Sequence, residues 1–192
     1  MRIGIYPGSF NPVHIGHLVI AGYMAEFTDL DEVWMVVSPR NPHKLTSDML
    51  QDYHRLELVK LAIGVNKKIK ASDVEFRLTK PSYTINTIQF LKEKNPADEF
   101  VLIVGEDNLP AFDQWKDHDQ ILQLCMVYVY PRLHVEKTKF HIHPKVRMIP
   151  EVPVMEISAT FIRESIRNKK DVRYMMHEAV WDRIEDSGFY LK

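Results

Sequence analysis

Gly8-Ser9-Phe10-Asn11-Pro12-Val13-His14-Ile15-Gly16-His17 follows the apolar run Ile3 to Tyr6 and leads straight into the helically spaced segment Ile15 to Phe27. A short β-branched run, a glycine-bearing turn and a helix start in immediate succession make the first half of a βα unit. Outward from this stretch the same alternation repeats. Val33 to Val37, Phe100 to Val104 and Met126 to Tyr130 are apolar on consecutive residues, as in strands covered on both faces, and Ile69 to Phe76 is a weaker strand. Leu50 to Ile63 and Thr84 to Lys94 carry helical spacing. Strands alternating with helices of this length predict an α/β fold: a Rossmann-like, doubly wound parallel sheet with helices on both faces. The tail changes character. Ser158 to Asn168, Val172 to Met176 and Glu178 to Ser187 read as short helices, with Gly188 as the closing C-cap. No long linker, repeat or low-complexity stretch divides the chain, which predicts one domain over 1–192 with a helical C-terminal subregion from about 157 to 192.

The composition narrows the function classes. A chain of 192 residues, 45% apolar, can build a core without staples. Its single cysteine, Cys125, excludes a disulfide framework and any multi-cysteine zinc site. The 25 basic and 26 acidic residues nearly cancel, which argues against a nucleic-acid partner. No apolar run approaches the roughly 18 residues of a membrane helix, so no membrane partner is expected. Met1 to Tyr6 enters a strand at once, with no room for a signal peptide, and a reducing, cytoplasmic setting is the expectation. A homo-oligomer is compatible with this sequence.

In open parallel sheets ligands bind outside the carboxyl ends of the strands. The unusual polar chemistry of this chain falls there: the first loop above, Ser38-Pro39-Arg40-Asn41-Pro42-His43-Lys44, Thr79 to Thr84, Gly105-Glu106-Asp107-Asn108, and Pro131-Arg132. Gly8 and Ser9 permit a close backbone approach to a ligand, and the helix start beyond them favours an anion. His14 and His17, three apart, share one face, and Gly16 between them leaves space for a phosphate. An isolated His-x-x-His is more often a pair of surface histidines; its place at the first strand end makes it a polyphosphate cradle. Neither a P-loop nor a G-x-G-x-x-G stretch occurs.

Gly8 to Leu18 resembles the signature of the nucleotidylyltransferase superfamily, relatives of class I aminoacyl-tRNA synthetases, and Ile157-Ser158-Ala159-Thr160-Phe161-Ile162-Arg163 is similar to its second signature. Within it, Ser38 to Lys44, Pro81-Ser82-Tyr83-Thr84, Gly105 to Leu109 followed by Trp115, and the tail Ala179 to Tyr190 resemble the bacterial nicotinate-nucleotide adenylyltransferase family. Two departures stand out: Ser9 and Asn11 where the first loop more often has Thr and Asp, and Ala159 in place of a serine. Asn11 keeps an amide and loses a carboxylate, so altered detail rather than lost activity is expected.

The resemblance implies transfer of the adenylyl group of ATP to nicotinate mononucleotide, with magnesium accompanying ATP, no metal-binding side-chain cage and no covalent intermediate. It implies catalytic roles for His14, His17, Lys44 and Arg163. ATP would be bound by Gly8, Ser9, Phe10, Asn11, His14, His17, Gly105, Asp107, Ile157, Ser158 and Arg163. The mononucleotide would be bound by Lys44, Tyr83, Thr84, Trp115 and Arg132. Nicotinamide mononucleotide or phosphopantetheine is the alternative acceptor, and a non-catalytic nucleotide-sensing module is the alternative of another class. Remaining features read as structural. His141-x-His143 would be surface histidines on a strand, Lys67 to Lys70 and Arg167 to Lys170 solvated faces, Met175, Met176 and Trp181 packing, and Cys125 a buried thiol opening a strand.

Overall fold

The computed structural model describes residues 1–40 and 48–191. Six strands form one parallel sheet: β1 (Arg2–Gly8), β2 (Glu32–Val37), β3 (Ile69–Ser72), β4 (Glu99–Gly105), β5 (Met126–Tyr130) and β6 (Val146–Met148). Their order is β3-β2-β1-β4-β5-β6. The chain thus reverses direction across the sheet between β1 and β4, and the carboxyl ends of that pair open the crevice where such folds bind ligands.

The consecutive apolar runs arise because each strand feeds two cores with period two. Val101 and Ile103 of β4, with Tyr128 and Tyr130 of β5, face one side. There they meet Ile20 and Met24 of α1 (Ile15–Phe27), Leu58 of α2 (Asp52–Ile63), and the tail helices α5 (Ala159–Arg167) and α6 (Glu178–Ser187). Phe100, Leu102 and Val104, with Val127 and Val129, face the other side. They pack on Ile85, Ile88 and Leu91 of α3 (Thr84–Lys94) and on Ile121 and Leu122 of α4 (His118–Leu124).

Several expectations are corrected. The third strand stops at Ser72, and Val74–Arg77 forms a 3-10 turn that buries Glu75, whose carboxylate accepts from the hydroxyls of Ser82 (3.1 Å) and Thr87 (3.1 Å). Val172 to Met176 narrows to a 3-10 turn at Arg173–Met175. Cys125 is the C-cap of α4 rather than part of β5; it is buried, and burial pushes its thiol up to about 12. His141 and His143 lie at a 3-10 turn, Lys139–Ile142, rather than on a strand. α4, β6 and the long 3-10 stretch Glu106–Gln114 had no counterpart in the sequence reading. No described helix is long and apolar enough to cross a membrane.

Candidate active site

β1 ends at Gly8, and the chain turns through Phe10, whose backbone is left-handed (φ 44°), so its ring folds back beneath the loop. Phe10 is 1% exposed and packs edge-on against Tyr6 and His17. Asn11 is also buried: its amide donates to the Asp48 carbonyl (3.0 Å), and its Oδ1 accepts from the Leu50 N–H (3.1 Å) and the Tyr190 hydroxyl (2.8 Å). Both were expected among the ATP contacts, but their side chains form the floor that holds the loop. The Asn-for-Asp departure follows from this geometry, because only an amide can donate to Asp48 while accepting from the other two.

His14 is the N-cap of α1, and its amide donates to His17 Nδ1 (3.2 Å). Nδ1 therefore carries no proton, which leaves the His17 hydrogen on Nε2. The two rings lie 3.7 Å apart, tilted by 30°. Burial, with Arg132 nearby, lowers His14 to about 4; burial, His14 and Arg132 hold His17 well below the usual imidazole range. Both rings are thereby neutral at pH 7. Gly16 lines the cleft beside them, and a Cβ there would stand 3.1 Å from His14 Nδ1, so the glycine leaves room for that ring.

A cleft of about 530 Å³ gathers Ser9, His14, Gly16 and His17 with Asp107, Arg132, Ile157, Ser158 and Ala159. Asp107 follows Gly105 at the end of β4, and a side chain on Gly105 would collide with it, 2.2 Å from Cβ to Oδ1. Arg132 lies beyond β5, its guanidinium 5.1 Å from the Tyr130 ring centroid and 3.5 Å from Asp107 Oδ1. Expected with the mononucleotide, it lines the same cleft as the histidines. Ser158 caps α5, its hydroxyl accepting from the Phe161 N–H (3.1 Å). Arg163 lies behind the cleft wall, donating to the Asn11 carbonyl (2.8 Å) and to Thr160 Oγ1 (3.3 Å). The two signatures are thereby tied together across 152 residues. Lys44 lies outside the described residues.

A second recess, about 210 Å³, brings together Tyr83, Thr84 and Trp115 as expected, with Ser82, Gln114 and Lys116. The stretch Glu106–Gln114 connects the two, starting beside the cleft and ending at Trp115.

Sequence reading missed the supports. Arg55, wholly buried, donates to the carbonyls of Ser9 and Leu50 and pairs with Asp52 (2.7 Å). Glu106 accepts from the Arg132 N–H (3.2 Å) and from His141 Nε2 (3.1 Å), while His141 Nδ1 accepts from the Thr138 N–H (3.0 Å). His141, read as a surface histidine, thus braces the loop that carries Arg132. Among the described residues no group of three or more His, Cys, Asp or Glu could hold a metal ion.

Fold and cleft together are those of a nucleotide-handling transferase, and the chain belongs to the cytidylyltransferase-like family, which it matches over residues 5–165. It is 50% identical, over the whole of both chains, to the "Probable nicotinate-nucleotide adenylyltransferase" of Flavobacterium psychrophilum. A protein of that name from Cytophaga hutchinsonii is 47% identical, covering 99% of this chain and 98% of its own. Within the broader family, this chain is accordingly a member of the nicotinate-nucleotide adenylyltransferases. Its fold is similar to that of Plasmodium falciparum nicotinic acid mononucleotide adenylyltransferase complexed with NaAD, with a TM-score of 0.81 over 98% of this chain and 97% of that one at 20% identity.

Proposed function

We propose that this chain transfers the adenylyl group of ATP to nicotinate mononucleotide, giving nicotinate adenine dinucleotide and pyrophosphate as a step of NAD biosynthesis. The observation that carries this reading is the close, tilted His14–His17 pair sharing with Arg132 a cleft that the Glu106–Gln114 stretch links to the Trp115 recess. The names of the full-length relatives support the choice of acceptor.

The acceptor phosphate is already an anion and a competent nucleophile, so the site needs no general base. One acceptor oxygen attacks the α-phosphorus of ATP while the bond to the bridging oxygen breaks and pyrophosphate leaves. Catalysis rests on in-line placement and on relief of charge repulsion. His17 Nε2–H and His14 serve the triphosphate, with Arg132 in the same cleft and the amides at the start of α5 adding donors. Backbone of Gly8 and Ser9 lies close to the phosphates. Asp107 accepts from ribose hydroxyls beside Gly105, and Ile157 and Ser158 line the adenosine side. Lys44 completes the phosphate grip from the second loop. Arg163 acts through the Asn11 carbonyl, holding the first loop in place. Trp115, Tyr83 and Thr84 take the pyridine end. A magnesium ion arriving with ATP would be held by phosphate oxygens and water, in keeping with the side chains present. The unpaired thiol of Cys125 suits a reducing, cytoplasmic setting.

The test is pyrophosphate release from magnesium-ATP with nicotinate mononucleotide, nicotinamide mononucleotide and phosphopantetheine in parallel. Preferred turnover of the first supports the reading; no turnover with any of them defeats it.

A further inference from the structure

We propose that His141 is a positioning residue of the triphosphate cleft: it clamps the Glu106 carboxylate and thereby fixes Arg132 for the phosphates, a role that rests on the adenylyl-transfer reading above. The chain of contacts starts at the 3-10 turn Lys139–Ile142. Phe140 in that turn is buried and meets Phe112 edge-on, ring centroids 5.1 Å apart, which seats the turn on the core that α3 and α4 cover. Thr138 caps the turn, and its N–H donates to His141 Nδ1 (3.0 Å), which leaves the imidazole proton on Nε2. Nε2 donates to Glu106 Oε1 (3.1 Å), and the second oxygen of that carboxylate, Oε2, accepts from the Arg132 N–H (3.2 Å). The His141 and Glu106 side chains are only 10% and 18% exposed, so water competes little for either bond.

Arg132 has little else to hold it. Its guanidinium stands 3.5 Å from Asp107 Oδ1 and 5.1 Å from the Tyr130 ring centroid, and its Nε is buried without a hydrogen-bond partner. Two carboxylates adjacent in sequence thus take different parts of one arginine: Glu106 its main chain, Asp107 its head. His141 keeps that division in place. Without the imidazole, one oxygen of Glu106 loses its partner, and a buried carboxylate left half-satisfied is free to compete for the guanidinium. The cation would then be neutralised inside the protein, in the cleft where it stands with His14 and His17, instead of being presented to the triphosphate. One imidazole therefore acts on Arg132 twice, anchoring its backbone and preserving its charge, without touching a substrate itself.

The experiment compares wild type, His141→Leu, His141→Gln, Arg132→Met and the double variant of His141→Leu with Arg132→Met. It reads steady-state kinetics with nicotinate mononucleotide and, separately, the Kd of magnesium-ATP by calorimetry. His141→Leu is expected to raise Kd and KM for ATP roughly tenfold, the scale of a lost hydrogen bond to a charged group, and to leave KM for the mononucleotide unchanged. His141→Gln, whose amide still donates to Glu106, recovers most of the affinity. In the Arg132→Met background His141→Leu adds no further loss, the non-additivity of residues that act through one another. Unchanged ATP binding in His141→Leu, the same loss in both backgrounds, or a matching rise in KM for the mononucleotide overturns the assignment. Glu106→Leu breaks the same chain at its middle and should repeat the ATP defect. Should His141→Leu fail to fold, retained ATP affinity in Glu106→Leu overturns the assignment by itself. Wild type that binds magnesium-ATP without turning over the mononucleotide defeats the acceptor reading alone, and the binding titrations still decide the role of His141.

Discussion

The bond from the His14 N–H to His17 Nδ1 leaves His17 with its proton on Nε2, ready to donate. His17→Ala should lower kcat by roughly 10²–10³, the scale of one donor aimed at developing charge, as steady-state kinetics will show. His14 has a thermodynamic signature of its own. Its pKa is about 4 in the fold against an ordinary 6.5, so between those values the unfolded chain binds the extra proton. Stability is full above pH 6.5 and falls with pH through that window, by about 2 kcal/mol from His14 alone between pH 6.5 and 5. Urea titrations across this range should show the slope, and His14→Asn should flatten its share. At the pyridine end, Trp115→Ala should raise KM for the mononucleotide with little change in kcat, since stacking is uniform binding; an unaltered KM removes Trp115 from the site. The histidine pair was legible because spacing and position lie within one short stretch. The burial of Phe10 and Asn11 was not legible, because sequence places them on the ligand loop without showing which way the left-handed turn at Phe10 sends each side chain.

At the level of elements, the first loop is held from below by three separated pieces of chain. Arg55 on α2 grips Ser9, Arg163 on α5 grips the Asn11 carbonyl, and Tyr190 beyond α6 reaches the Asn11 side chain. Arg55 is 0% exposed and its donors serve two carbonyls and a carboxylate. Arg55→Met should therefore cost about 3 kcal/mol in chemical denaturation, because it takes the donor from the Ser9 and Leu50 carbonyls, while Asp52 keeps the Arg40 N–H (2.9 Å). The strands that feed both cores announced themselves as unbroken apolar runs, whereas β6 could not. It has three residues at a sheet edge, with Arg147 outward, and carries neither length nor periodicity. α4 is equally short, and Glu106–Gln114 contains Pro110, which breaks any helical pattern. Residues 179 positions apart, such as Asn11 and Tyr190, meet only through the tertiary fold.

Across the whole molecule, the tail shares a core with the opening strands rather than standing apart. Ile162, Ile166, Val180 and Ile184 pack in the same cluster as Tyr6, Val33 and Met35, and Arg183 on α6 pairs with Glu57 on α2 (2.9 Å). Loss of activity and loss of near-UV signal on heating should coincide in one transition; two separated transitions would mark residues 157–192 as an independent unit. The alternation of βα units was readable from the sequence, whereas the strand order was not; its reversal at β1 and β4 places both recesses along one rim. Between them, the single backbone stretch Glu106–Gln114 joins Asp107 at the cleft to Trp115 at the recess. A substitution that displaces this stretch moves both ends at once, so weakened hold on ribose and weakened stacking should arrive together as one defect.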